Sequence, residues 1–267
     1  MPTSYQDIVN DLNAQSFHRM ALTCTQEEIK TAVDAFFRFM TLPEETKQKY
    51  SFRIDPEDRG TEVGYWTRSR AAGNKDNRGY FHYSLVGDER FRKEGADCKE
   101  LIEFLDAAKP LYEKVTMTLR EAVQAIDQGR GTQLVQRIFE PGSGLVQNIP
   151  LRFLAYTQTE PGDFLATGHY DRGIVSLAIA ESAPGLRMGK TPDTVKDIIH
   201  EPGYGLFFPG INLQDLTDET FAPSWHDVIQ KDVNAFQPGC ARWAVVLFAH
   251  AWNLSYKTWE TCHTPQY

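Results

Sequence analysis

From Leu151 onward the chain breaks into short β-type runs separated by turn residues, and no other feature of its 267 residues limits the fold as strongly. The runs are Leu151–Thr157, Ile174–Ala180, Leu186–Met188, Thr194–Ile199, Gly205–Pro209, Trp225–Ile229 and Arg242–Phe248. Each is too short to fold alone, and Gly and Pro punctuate the gaps between them. About eight such strands indicate a barrel or a double-sheet jelly roll.

The first 150 residues read differently. Thr25-Gln26-Glu27-Glu28 has the form of a capping box, and Ile29, Val33, Phe36, Phe37 and Met40 follow at helical spacing. Leu42-Pro43 ends that helix, and Pro43 with Glu44 and Glu45 suits the start of a second, because acids are favoured at the positive end of a helix. Between Ser51 and Gly95 the chain is rich in Gly, Asp, Asn and Arg, which predicts long loops and short strands lying over the mouth of the barrel. Residues Asp97 to Gln128 give the longest helical stripe, from Leu101 and Phe104 to Val123 and Ile126, with a kink expected at Pro110. A short helix from Thr132 to Phe139 precedes the loop at Pro141.

Within the β half lies His169-Tyr170-Asp171, then a lone His226, then Arg242 at the head of an apolar run. Alternate side chains of an extended strand share a face. His169 and Asp171 can therefore point at one centre while Tyr170 points away. His226, 57 residues further on, is the natural third ligand. Two imidazoles and one carboxylate with positions left open suit a non-haem Fe(II) centre.

Several segments resemble the isopenicillin N synthase-like branch of the 2-oxoglutarate and Fe(II)-dependent oxygenases. Leu151-Arg152-Phe153-Leu154-Ala155-Tyr156 is similar to that family's strand ending in tyrosine, and His169 through Leu177 to its "HTD-x-G-x-L-T-L" line. Gly210 through His226 matches the family's run to the distal histidine without a gap, and Phe36 through Lys47 its "F-F-x-L-P-x-E-x-K" element. Gly64-Tyr65-Trp66 and Asp76 through Tyr83 resemble two further family segments.

The resemblance implies a mainly β chain with flanking helices: a double-stranded β-helix (jelly roll, cupin-like) core behind a helical N-terminal region. It implies His169, Asp171 and His226 as the Fe(II) ligands and catalytic residues. Arg242 stands where the family's Arg-x-Ser motif receives the C5 carboxylate of 2-oxoglutarate, with Tyr156 as a second donor to it. A guanidinium suits that task because it is always charged and offers a planar fork. With O2, the expected chemistry is oxidation of an unactivated C–H bond of a small molecule by hydroxylation, desaturation or cyclisation, releasing succinate and CO2. The carboxylate at Asp171 argues against halogenation, for which the family leaves that position empty.

Three departures stand beside the matches. Ala244 replaces the serine of Arg-x-Ser, Asp227 follows the distal histidine where the family usually has arginine, and 16 residues separate His226 from Arg242, a longer gap than the family's. Arg172 and Arg187 are alternatives to Arg242. The departures keep open a 2-oxoglutarate-independent Fe(II) oxidase on the same fold, and a non-catalytic metal-binding jelly roll. Tyr65, Arg68, Arg70, Tyr80 and His82 are candidates for substrate contact, because loops carry specificity; each could equally be a packing aromatic or a solvated charge. His250 is a further site candidate, with a structural histidine as the plainer reading.

Composition narrows the partners. A net charge of −8 with no basic cluster argues against nucleic acid. No apolar stretch reaches the length of a membrane span, the N-terminus lacks the look of a signal peptide, and Cys24, Cys98, Cys240 and Cys262 are scattered, which together suggest a cytoplasmic protein. No linker divides the chain, so one domain is expected over 1–267: a helical and loop region at 1–150, the jelly-roll core with the metal site at 151–250, and a tail at 251–267 folding back over the pocket. The sequence sets neither the substrate nor the oligomeric state. Arginines in the loop region suggest a small, carboxylate-bearing metabolite.

Overall fold

The strand β5 (Leu151–Thr157) shows how the layers are built. Its odd positions Leu151, Phe153 and Ala155 join one apolar cluster, and Leu154 and Tyr156 join another, so both faces of the strand are covered. That is why the segment reads as a nearly unbroken apolar run. The computed structural model describes residues 4–69, 73, 76–140, 149–231 and 236–250.

The N-terminal part contains α1 (Tyr5–Gln15), β1 (His18–Ala21), α2 (Gln26–Met40), α3 (Glu44–Gln48), β2 (Ser51–Arg53), β3 (Glu62–Arg68), β4 (Arg78–Tyr83), α4 (Leu85–Glu94), α5 (Lys99–Arg130) and α6 (Leu134–Phe139). After β5 come β6 (Phe164–His169), β7 (Val175–Glu181), β8 (Leu186–Gly189), β9 (Lys196–Asp197), β10 (Tyr204–Pro209), α7 (Ile211–Leu216), β11 (Trp225–Ile229) and β12 (Cys240–Ala249). An eight-stranded sheet has the order β1-β10-β7-β12-β5-β4-β3-β2, and a four-stranded sheet the order β6-β11-β8-β9.

Leu154, Tyr156, Ala178, Phe208 and Ala244 of the large sheet meet Leu165, Leu186, Met188 and Val228 of the small one. The opposite face of the large sheet packs on α2 and α5, where Phe104 touches Phe36, Phe39, Phe81 and Phe153 at centroid separations of 5.7, 6.0, 4.9 and 5.0 Å. The capping box is formed as the sequence predicts: Thr25 Oγ1 accepts from Glu28 N at 3.2 Å and Glu28 Oε2 from Thr25 N at 2.8 Å. The helix over 99–130 runs unbroken through Pro110.

Other expectations need correction. Residues 51–95 contain the expected short strands, β2, β3 and β4, but these extend the large sheet and α4 follows, where long loops over the mouth were expected. The run Thr194–Ile199 is a two-residue strand after a 3-10 turn at Pro192–Thr194, which Thr191 caps by accepting from Thr194. The elements α1, β1 and β6 carry weak sequence signals and are additions. The tail 251–267 and the loop 141–148 lie outside the described residues. Among those described, no helix is long and apolar enough to cross a membrane.

Candidate metal centre

His169 ends β6, and His226 sits directly opposite it across the antiparallel pair with β11. That register, more than spacing along the chain, brings the imidazoles together, with ring centroids 4.4 Å apart. Trp225 lies beside them, and its indole packs so close to Gly168 that a Cβ there would stand 2.5 Å from the ring. Glycine is required by the close approach of the side chain, not by its backbone angles.

Asp171 lies two residues beyond the end of β6, in the turn into β7, so the alternation argument accounts for His169 alone. Other contacts hold the carboxylate. Ser176 Oγ donates to Asp171 Oδ2 at 2.5 Å, and the Asp171 carbonyl accepts from Ile211 N at 2.9 Å. Gly210 makes the second contact possible, because a Cβ at that residue would lie 2.2 Å from the Gly173 carbonyl oxygen and 2.8 Å from that of Asp171. Tyr170 points away as expected, its hydroxyl donating to the Lys190 carbonyl at 2.9 Å.

Asp171 Oδ1 then faces both rings, 3.6 Å from His169 Nε2 and 3.8 Å from His226 Nε2. One ligand atom from each of the three residues lies within 4.8 Å of the others. His169 Nδ1 donates to the Thr167 carbonyl at 2.8 Å and His226 Nδ1 to the Ser224 carbonyl at 3.1 Å. A carbonyl only accepts, so each Nδ1 carries the proton and each Nε2 presents a lone pair to the shared centre. Burial, then the neighbouring His226, pushes the His169 imidazole down to about 3. Burial would raise Asp171, but the two imidazoles, the Ser176 hydroxyl and Arg152 outweigh it and hold the carboxyl below its ordinary value. Both groups are therefore in the protonation state that metal binding requires.

Arg242 and Tyr156 meet as neighbours in register on β12 and β5, with the guanidinium 5.7 Å from the ring centroid. Arg242 is 3 % exposed. It is ion-paired with Glu181, and its Nε donates to the Ala183 carbonyl at 2.9 Å. Its Nη1 is buried with no hydrogen-bond partner among the described residues. Nη1 thus remains for an incoming carboxylate, although the charge already has a counter-ion.

The alternatives to Arg242 are engaged elsewhere. Arg187 forms a two-pronged pair with Asp227 at 2.7 and 2.8 Å, directly opposite it in the β8·β11 register. Asp227 thereby finds its role as a cross-strand partner. Arg172 pairs with Asp58 at 3.2 Å.

Tyr80 faces the space between the sheets and donates to Glu62 Oε2 at 2.7 Å; Arg68 pairs with the same carboxylate at 2.7 Å. Tyr65 turns to the helical side, bonding Glu44 at 2.9 Å, and is a packing residue. His82 is buried in the large sheet, and Arg70 lies outside the described residues. His250, just past β12, is held by burial, then by Arg172, down to about 4.

Sequence reasoning assigned no role to Ser176, Glu181 or Arg152. Only Arg152 carried a signal: it is a charge at a position whose strand alternation points between the sheets.

No protein-family model and no curated protein sequence matches the chain. Solved structures do. A Caulobacter crescentus protein described as a 2OG-Fe(II) oxygenase family protein superposes with TM-score 0.69 at 22 % identity over 97 % of this chain and 86 % of its own. A Neurospora crassa protein in complex with alpha-KG and thymine gives 0.69 at 16 % over 96 % and 85 %. JOX2 in complex with 2OG, Fe and JA gives 0.66 at 18 % over 91 % and 70 %. The chain has the jelly-roll fold of the 2-oxoglutarate and Fe(II)-dependent oxygenases, with a His-Asp-His cluster between its sheets.

Proposed function

We propose that the chain is a non-haem Fe(II) and 2-oxoglutarate-dependent dioxygenase acting on an unactivated C–H bond of a small molecule. The observation that carries this reading is the convergence of His169, Asp171 and His226 on one centre, with both imidazole tautomers fixed by backbone carbonyls. Such outer contacts are what a ligand set needs to be held in place before the metal arrives.

His169 and His226 would hold the metal through Nε2, and Asp171 through Oδ1. Arg242 would meet the distal carboxylate of 2-oxoglutarate through Nη1, which has no partner among the described residues. Tyr156 stands beside it as a second donor. When bound, iron with 2-oxoglutarate and O2 supplies the oxidising power, with 2-oxoglutarate leaving as succinate and CO2. The residues around the centre exclude water and place the substrate. Phe208 packs edge-on against His226 at 5.2 Å, so that flank of the metal site is apolar. The structural neighbours solved with thymine or with JA support a small-molecule substrate.

The Arg242–Glu181 pair favours a second reading, an Fe(II) oxidase that uses no 2-oxoglutarate, because the cation is already neutralised. Succinate release separates the two. Screening small metabolites aerobically with Fe(II) and 2-oxoglutarate should find compounds that stimulate succinate formation in proportion to their own oxidation. Substrate oxidation without any consumption of 2-oxoglutarate would establish the second reading.

A further inference from the structure

Arg152 has an environment unlike that of the other arginines between the sheets. Its neighbours there each have a carboxylate: Arg78 has Asp76 at 3.5 Å and Arg242 has Glu181. Arg152 has none within ion-pair distance among the described residues, and its one protein hydrogen bond goes from Nε to His82 Nε2 at 2.5 Å. His82 donates through Nδ1 to the Glu62 carbonyl at 2.7 Å, so Nε2 can only be the acceptor and the ring is neutral. Burial, and then the charge of Arg152 itself, keeps that imidazole well below its ordinary value.

The His82 contact therefore orients the guanidinium without cancelling its charge. Among the described residues neither Nη group has a hydrogen-bond partner. Arg152 is half-buried and has no carboxylate within ion-pair distance among the described residues, so an anion seated on it would gain a charge-assisted contact.

The surroundings say where that anion would lie. The guanidinium stacks over Phe248 at 4.3 Å and lies 5.3 Å from the Tyr80 ring centroid. Phe248 is opposite Ser176 in the β12·β7 register, and Ser176 is the residue that holds Asp171. Arg152 thus stands at the metal end of the space between the sheets. Arg242 and Tyr156 are at the other end. Arg152 pairs with Val246, four residues along β12 from Arg242, which is roughly 13 Å at the rise of a strand. A carboxylate on Arg242 would therefore be a different one from a carboxylate on Arg152.

We propose that Arg152 is a substrate-binding residue that receives the carboxylate of a small organic acid through its two Nη groups, with the apolar body of that acid lying between Phe248 and the metal ligands. This rests on the Fe(II) and 2-oxoglutarate reading above. A planar guanidinium with a free fork matches a carboxylate in a way a lysine would not, and the aromatic walls fit a hydrocarbon body.

The test uses the full chain loaded anaerobically with Fe(II) and 2-oxoglutarate, and reads binding of phenylacetate, hexanoate and benzoate by titration calorimetry, with phenylacetamide as the uncharged control. At least one of the acids should bind, and phenylacetate more tightly than the amide. Arg152→Gln should weaken the acids by roughly 10- to 100-fold, the value of a charge-assisted hydrogen-bond pair. Arg152→Lys should fall between the two. The 2-oxoglutarate affinity, followed by the visible charge-transfer band, should stay within about twofold in both variants and also shows that they are folded.

Equal binding of acid and amide to the wild type, no binding of any of the three acids, or a loss of 2-oxoglutarate affinity in Arg152→Gln would each overturn the assignment. The wild-type comparison needs no variant to fold. Failure of the wild type to take up Fe(II) and 2-oxoglutarate at all would instead sink the oxygenase reading, which keeps the two failures apart.

Discussion

Ser176 makes the smallest contact on which the candidate metal centre depends. Its hydroxyl fixes Asp171 Oδ2 at 2.5 Å and leaves Oδ1 to face the two imidazoles. Outer contacts of this kind are typically worth about 10- to 100-fold in metal affinity. Ser176→Ala should therefore weaken Fe(II) binding by about tenfold with little loss of fold, measured by competition with a coloured chelator; unchanged affinity would mean that Asp171 is oriented by its backbone alone. That His169, Asp171 and His226 come together was legible in the sequence because their residue types and order are distinctive. The state of Arg242 was not, because its partner Glu181 is 61 residues away and is set by the β7·β12 pairing. Ala244 and Asp227 looked like defects in the motif, yet Asp227 has a cross-strand partner in Arg187.

At the level of elements, sequence signals succeeded where local chemistry decides and failed where a neighbouring strand decides. The Thr25–Glu28 box marks the start of α2 to the residue. Thr25→Ala removes the side-chain acceptor for the Glu28 amide and should cost about 1 kcal/mol, read as a lower urea midpoint; no shift would show that α2 is held by packing alone. The strand β5 has the predicted bounds because both its faces are covered and its run is apolar throughout. By contrast β6, the strand that carries His169, has an exposed Phe164 and a glycine under the Trp225 ring, so neither alternation nor an apolar run announces it. Only pairing with β11 makes it a strand. The helix α1 buries Ile8 and Leu12 alone, too little for a visible stripe, and α4 is mostly charged.

Across the whole molecule, two covered sheet faces build a three-layer body in which several histidines are held away from water. His82 is kept well below its ordinary value by burial and then Arg152, and His250 is pushed down to about 4 by burial and then Arg172. A histidine whose folded value is depressed binds fewer protons folded than unfolded. Its contribution to stability is complete above the unfolded value near 6.5, and it is lost as pH falls toward the folded value. Each such group should remove about 1.4 kcal/mol per pH unit within that window. The metal-free protein should therefore show a urea midpoint that is flat above pH 7 and falls from about pH 6.5 to 5, and His250→Gln should reduce the slope. A midpoint that does not change over that range would contradict the buried, neutral state of these rings. The same dry interior is what a centre of three converging ligands needs, and it can be tested directly. Anaerobic addition of Fe(II) and then 2-oxoglutarate to the purified chain should raise a weak visible charge-transfer band that saturates at one equivalent of metal and is absent in His226→Ala. Folded wild-type protein that develops no band, or a band that survives loss of His226, would contradict the account.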